Sequence, residues 1–148
     1  MGNELERLYK RLRQLDPEDL YKIEADFFLY FYKDKRKAAL PPVKTFLIVS
    51  GWYGTWFRSG SWVFYESTPK SDIEDAVGYL KEIGCEELSS YISKGVHDWA
   101  GADSDYPDEW MNECDDIDNW IADHEKEIIQ WMYDYLINNE ELFSKSNG

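Results

Sequence analysis

The 148-residue sequence contains only two cysteines, Cys85 and Cys114, too few and too far apart for a disulfide framework. They read as reduced thiols. A zinc site would also have to recruit His97 and His124, and no C-x-x-C or H-x-x-x-H spacing is present. No apolar run approaches the ~20 residues that cross a bilayer. Met1 is not followed by a basic region and an apolar stretch, and Glu6 stands where a myristoylation signal headed by Gly2 needs Ser or Thr. The expectation is a soluble, cytoplasmic protein with no membrane contact. G-x-S-x-G, P-loop, G-x-G-x-x-G and H-E-x-x-H motifs are all missing. His97 and His124 stand alone, so the sequence predicts a non-enzymatic protein with no catalytic residue, no metal and no cofactor.

Hydrophobic residues make up 43% of the chain and aromatics 17%, which excludes disorder despite 31% charged residues. The length suits one domain, spanning residues 1–148, with 144–148 as a frayed tail. Charge is the most informative quantity. The net charge is −14, and it is unevenly placed. Residues 1–70 hold 12 Lys/Arg and 9 Asp/Glu, whereas residues 71–148 hold 4 and 21. A field of that sign repels nucleic acid and anionic membrane and attracts basic partners, which argues against direct nucleic-acid binding.

Helical signals dominate. Asn3 and Glu6 form a capping pair ahead of Leu5, Leu8, Tyr9, Leu12 and Leu15 at helical spacing. Asp16-Pro17-Glu18-Asp19 starts a second helix carrying Leu20, Ile23, Phe27, Phe28, Tyr30 and Phe31, which runs to the basic stretch 33–37. Those cations read as solvated complements to a helix C-terminus, and Pro41-Pro42 ends the segment. A capping box, Ser71-Asp72-Ile73-Glu74, opens a helix closed by Gly84. A short helix follows from Glu86 to about Lys94, then an acidic loop from Asp98 to about Pro107. Trp110 and Met111 begin a short turn, and a last long helix starts near Asp116. The predicted fold is mostly α, a single compact helical domain of five to seven helices.

Residues 43–66 leave an alternative open. Val43–Val49 fits helix or strand, and seven aromatics fall within residues 52–65, where a short hairpin competes with helix. Trp52, Tyr53, Trp56 and Trp62 either form a central core layer or line an aromatic pocket.

Between Asp98 and Glu127 there are twelve acids against one base, Lys126. An EF-hand loop counted from Asp103 needs a ligand at its fifth position and glycine at its sixth, where Pro107 and Asp108 stand. Wound as helix, thirty residues would extend about 45 Å, close to one carboxylate per 3.8 Å. One DNA strand carries a charge every ~3.4 Å. Crowding of this kind destabilises a monomer through like-charge repulsion. Either it serves solubility alone, or it serves a partner. The candidate partner-binding residues are Asp103, Asp105, Asp108, Glu109, Glu113, Asp115, Asp116, Asp118, Asp123 and Glu127.

From about Val43 to Phe143 the chain resembles a bacterial helical domain family, mostly of proteins without assigned activity, that includes a DNA mimic. The resemblance rests on Ser50-Gly51-Trp52-Tyr53 with Thr55, Trp56-Phe57 and Ser59, on Leu80-Lys81-Glu82-Ile83-Gly84-Cys85, and on Asp115-Asp116-Ile117-Asp118 leading to Tyr135, Asn139 and Phe143. Trp52 replaces a family glycine, and the family's Gln and both Asn positions are changed. The resemblance implies a mostly helical fold, no known catalytic residues, a capacity to form a homodimer and, by analogy, duplex mimicry.

The expected function is therefore that of a DNA mimic, occupying the basic nucleic-acid-binding face of a partner such as a transcription factor. An immunity-type protein neutralising a toxin nuclease would use the same charges. A small-molecule-binding protein or hydrolase would instead use the aromatic region 52–65.

Overall fold

In the computed structural model, which describes residues 3–97 and 106–145, every regular element is a helix. Of the described residues 83% are helical, and no strand occurs among them. The elements are α1 (Asn3–Leu12), a 3₁₀ helix (Pro17–Lys22), α2 (Glu24–Lys33), α3 (Lys35–Ala38), α4 (Pro41–Ser59), α5 (Ser61–Ser67), α6 (Lys70–Glu82), α7 (Glu86–Ser93), α8 (Asp108–Asp123), α9 (Glu125–Asn138) and α10 (Glu140–Ser144). The mostly α expectation holds, with eleven helices among the described residues, eight of them of seven residues or more.

The surplus over five to seven comes from breaks at single residues. The Asp34 carboxylate accepts hydrogen bonds from the backbone N–H groups of Arg36 and Lys37, so α3 starts afresh just after α2. His124 leaves helical geometry at φ −123° and ψ 19°, which splits the long C-terminal helix expected from Asp116 into α8 and α9. Pro41 and Pro42 open α4 as well as closing what precedes it, because proline's fixed φ and missing N–H suit a first turn. The aromatic hairpin does not form: residues 52–65 lie in α4 and α5, divided at Gly60, whose φ of 95° only glycine adopts without strain. The expected capping box at Ser71 is also displaced. Helix α6 begins at Lys70 behind an extended Pro69, which puts Ser71 inside the first turn.

The described helices fall into two compact units. The first, Met1–Ser50 with Glu125–Gly148, has an aromatic core. Phe31 packs edge-on against Phe46 at 5.8 Å and Phe143 at 5.1 Å, and Tyr9 meets Phe27 at 5.1 Å. Tyr9 donates to the Leu136 carbonyl at 2.8 Å. Lys37, expected among the solvated cations, is buried: its ammonium donates to the Phe143 carbonyl at 2.7 Å and lies 5.4 Å from the Tyr30 ring centre. Burial pushes its pKa down, against the upward pull of Asp34.

The second unit, Gly51–His124, is held by buried polar links as well as apolar packing. Trp52 donates to the Tyr65 hydroxyl at 2.8 Å, and that hydroxyl donates to the Ile92 carbonyl at 2.6 Å. Trp110 donates to the Gly95 carbonyl at 2.7 Å. Helix α6 ends in a Schellman closure, with Gly84 at φ 86°, its N–H on the Lys81 carbonyl and the Cys85 N–H on the Leu80 carbonyl. Among the described residues, no helix is long and apolar enough to cross a membrane.

Candidate functional site

Helix α8 carries the strongest feature of the second unit. Its sixteen residues contain seven acids, Asp108, Glu109, Glu113, Asp115, Asp116, Asp118 and Asp123, and no Lys or Arg. At 1.5 Å per residue the helix is about 24 Å long, roughly one carboxylate per 3.4 Å. Trp110, Cys114, Ile117 and Ile121 are buried, and their spacing defines a single inward stripe. At about 100° per residue, Asp108, Glu109, Asp115, Asp116 and Asp123 fall away from that stripe, and all five are exposed. Glu113 and Asp118 sit half-buried on opposite flanks.

Two of these acids hold a cation from the C-cap of α7. The Lys94 ammonium lies 3.7 Å from Glu113 and 3.5 Å from Asp116. It also lies 5.6 Å from the centre of the Tyr91 ring. Desolvation alone would lower the Lys94 pKa, but Glu113 and Asp116 outweigh it and raise the value. Tyr91 stacks on Trp120 at 4.4 Å and 14°, and Trp120 stacks on His124 at 4.2 Å and 16°. The His124 Nδ1 donates to the Trp120 carbonyl at 2.7 Å, which fixes the end of the column. Carboxylates and stacked rings thus share one side of α8. The sequence reading missed Lys94, Tyr91 and Trp120. The only available signal was the three-residue spacing of Tyr91 and Lys94 on one helix and of Glu113 and Asp116 on another.

Asp118 has a different role from its neighbours. Its Oδ1 accepts the Ser61 backbone N–H at 2.9 Å, so it caps α5 from another helix. Seven of the ten expected partner residues therefore lie on α8, and three of those seven already make internal contacts, Asp118 with Ser61 and Glu113 and Asp116 with Lys94. Glu127 is exposed on α9, in the first unit. Asp103 and Asp105 lie outside the described residues.

Of the four aromatics of the alternative pocket, Tyr53 and Trp56 pack on each other, and Trp52 and Trp62 pack on other rings. Trp52 is fully buried against Tyr65 and Trp120, and Tyr53 is buried beside the half-exposed Trp56 at 5.7 Å. Trp62 packs against Tyr106 at 5.7 Å. Two surface clefts of about 460 and 390 Å³ are lined by Glu4, Tyr30, Lys33, Asp34, Lys35 and Arg36, and by Asp16, Pro17, Glu18, Lys126, Ile129 and Gln130. Neither includes a residue of the aromatic stretch. Among the described residues, no group of three or more His, Cys, Asp or Glu side chains is placed to hold a metal ion. Cys114 is buried, and its thiol is pushed up to about 12 by burial first and by Asp118 and Asp115 next.

Comparison of the chain with protein-family models, with curated proteins and with solved structures finds no match.

Proposed function

We propose that this is a non-enzymatic, cytoplasmic interaction protein whose helix α8 occupies the basic, nucleic-acid-binding face of a partner protein as a DNA mimic. The carrying observation is the run of exposed carboxylates on α8, Asp108, Glu109, Asp115, Asp116 and Asp123, on a helix with no Lys or Arg. All seven acids of α8 average one per about 3.4 Å of axis, the ~3.4 Å between phosphates on one DNA strand, and the five exposed ones average one per about 4.8 Å. Arginines and lysines arranged for phosphates would find carboxylates in comparable positions and form charge-assisted hydrogen bonds with them. A homodimer would double that line of charge. Membership of the bacterial helical family that the sequence resembles is part of the same proposal, but the charge pattern supports the reading without it.

The aromatic stretch supports an enzyme less well. Trp52 is fully buried and its indole N–H is already used by Tyr65. The experiment is capture of partners from host lysate on immobilised protein, followed by elution with salt and with duplex DNA. Mimicry requires a basic partner that both treatments release, and that Asp115→Asn/Asp116→Asn/Asp123→Asn protein retains poorly. Capture that is indifferent to salt and to DNA, or full capture by the triple variant, overturns it. A single toxin nuclease as the only basic partner would select the immunity reading.

A further inference from the structure

The cation already seated beside α8 indicates what that side of the helix recognises. Lys94 places its ammonium between Glu113 and Asp116, at 3.7 and 3.5 Å, with the Tyr91 ring 5.6 Å away. Two carboxylates and an aromatic ring around one cation satisfy both charge attraction and the ring quadrupole. A guanidinium fits such a setting better than an ammonium does. It is planar, stacks on an aromatic face and offers parallel N–H donors to carboxylates, whereas lysine presents a compact point charge that holds its water. The lysine stem is flexible and its side chain is 32% exposed, so it can swing out without disturbing the core. Behind Tyr91, the stack on Trp120 and His124 holds the ring in place at no cost to an incoming ligand.

We propose that Glu113, Asp116 and Tyr91 form an arginine subsite that Lys94 fills in the unbound protein, and that a partner arginine enters by displacing Lys94. This rests on α8 being the partner-binding surface, and it deepens that reading. The partner's contact residue is arginine rather than lysine, and Lys94 is an internal competitor that sets the threshold for binding.

The test uses octa-arginine and octa-lysine peptides titrated calorimetrically into the intact protein. Lys94→Gln is compared with Lys81→Gln, which removes the same charge from an exposed position on α6. Wild-type protein is expected to prefer octa-arginine. Lys94→Gln is expected to tighten octa-arginine binding about three- to fivefold beyond Lys81→Gln, the range a displaced exposed cation–π and carboxylate contact can supply. Tyr91→Leu, checked for folding by circular dichroism, should abolish the arginine preference and leave octa-lysine nearly unchanged. Equal effects of Lys94→Gln and Lys81→Gln would show long-range charge alone and overturn the subsite while leaving the acidic surface standing. If neither peptide binds at low salt, both proposals are overturned together.

Discussion

Asp118 on α8 caps the helix that begins at Ser61, 57 residues earlier in the chain, through a 2.9 Å bond from the Ser61 N–H to its carboxylate. The arrangement answers a local need. Gly60 occupies the N-cap position with φ 95°, and it has no side chain to accept an orphan N–H of α5. The carboxylate comes from across the fold instead, and the Ser61 hydroxyl donates back to the Cys114 carbonyl of the same helix at 3.3 Å.

Asp118→Ala is therefore expected to destabilise the protein by about 1 kcal/mol, the usual cost of a lost N-cap. Asp115→Ala, at an exposed position three residues away, should stay within about 0.5 kcal/mol of wild type. Urea unfolding of both variants separates the acid that serves the fold from one free to serve a partner. Equal losses would remove the distinction.

Gly95 and Gly78 should respond to alanine in opposite directions. A Cβ on Gly95 would lie 2.3 Å from the Tyr65 ring, which Trp52 and the Ile92 carbonyl hold in place. With neither backbone nor ring able to yield cheaply, Gly95→Ala should cost about 2 kcal/mol or more. A Cβ on Gly78, exposed within α6, meets nothing within 4 Å. Gly78→Ala should add about 0.5–1 kcal/mol through helix propensity. Thermal or urea midpoints test the pair.

The two thiols should differ in reactivity. Cys114 is buried with its pKa raised to about 12, so thiolate is scarce at neutral pH as well as shielded. Cys85 is half-exposed at the closure of α6. Iodoacetamide at pH 8 is expected to modify Cys85 alone in the folded protein and both cysteines in urea, as read by peptide mass. Comparable labelling of Cys114 in the folded state would contradict its burial.

Stability should decline on the alkaline side. The Cys114 thiol is raised from 9.0 to about 12, chiefly by burial, and the Tyr65 and Tyr9 hydroxyls are raised above 10.0 by the same cause. A raised value means the folded state holds its proton after the unfolded chain has lost it. The contribution is complete below pH 9 and is lost as pH climbs through 9 towards 12. Urea midpoints at pH 7, 9 and 10.5 should fall in that order, and Cys114→Ala should shallow the slope between pH 9 and 10.5. A flat profile across that range would refute the assignment.

The sequence revealed this architecture unevenly, for identifiable reasons. Helix α1 and the glycine that ends α6 were legible because their signals are local: an apolar face repeated every three to four residues, and a residue tolerant of positive φ. Pro41-Pro42 was ambiguous, since proline ends one segment and starts another by the same stereochemistry. The aromatic run 52–65 could not be resolved by periodicity because Trp52, Tyr53, Trp56 and Phe57 recur at helical spacing whereas Trp62 and Phe64 alternate as in a strand, with Gly60 between the two groups. Lys37 read as solvated because its acceptor, the Phe143 carbonyl, is 106 residues away. The acids of α8 were legible as a group. Which of them caps α5 and which hold Lys94 depends on helices brought beside α8 only by folding.

Asp123 offers a test of whether the charge on α8 serves more than solubility. It stands in the last turn of the helix, where the dipole is negative, and no Lys or Arg accompanies it there. Its carboxylate is exposed. That dipole interaction opposes folding, so Asp123→Asn should stabilise the protein by about 0.3–1 kcal/mol at low ionic strength, a gain that salt erases. If the surface receives a basic partner, the same substitution should weaken capture of octa-arginine, because one carboxylate of the line is gone. Stabilisation with unchanged binding would mean that Asp123 lies outside the contact. Stabilisation with weakened binding would mark it as a charge that folding disfavours and recognition uses.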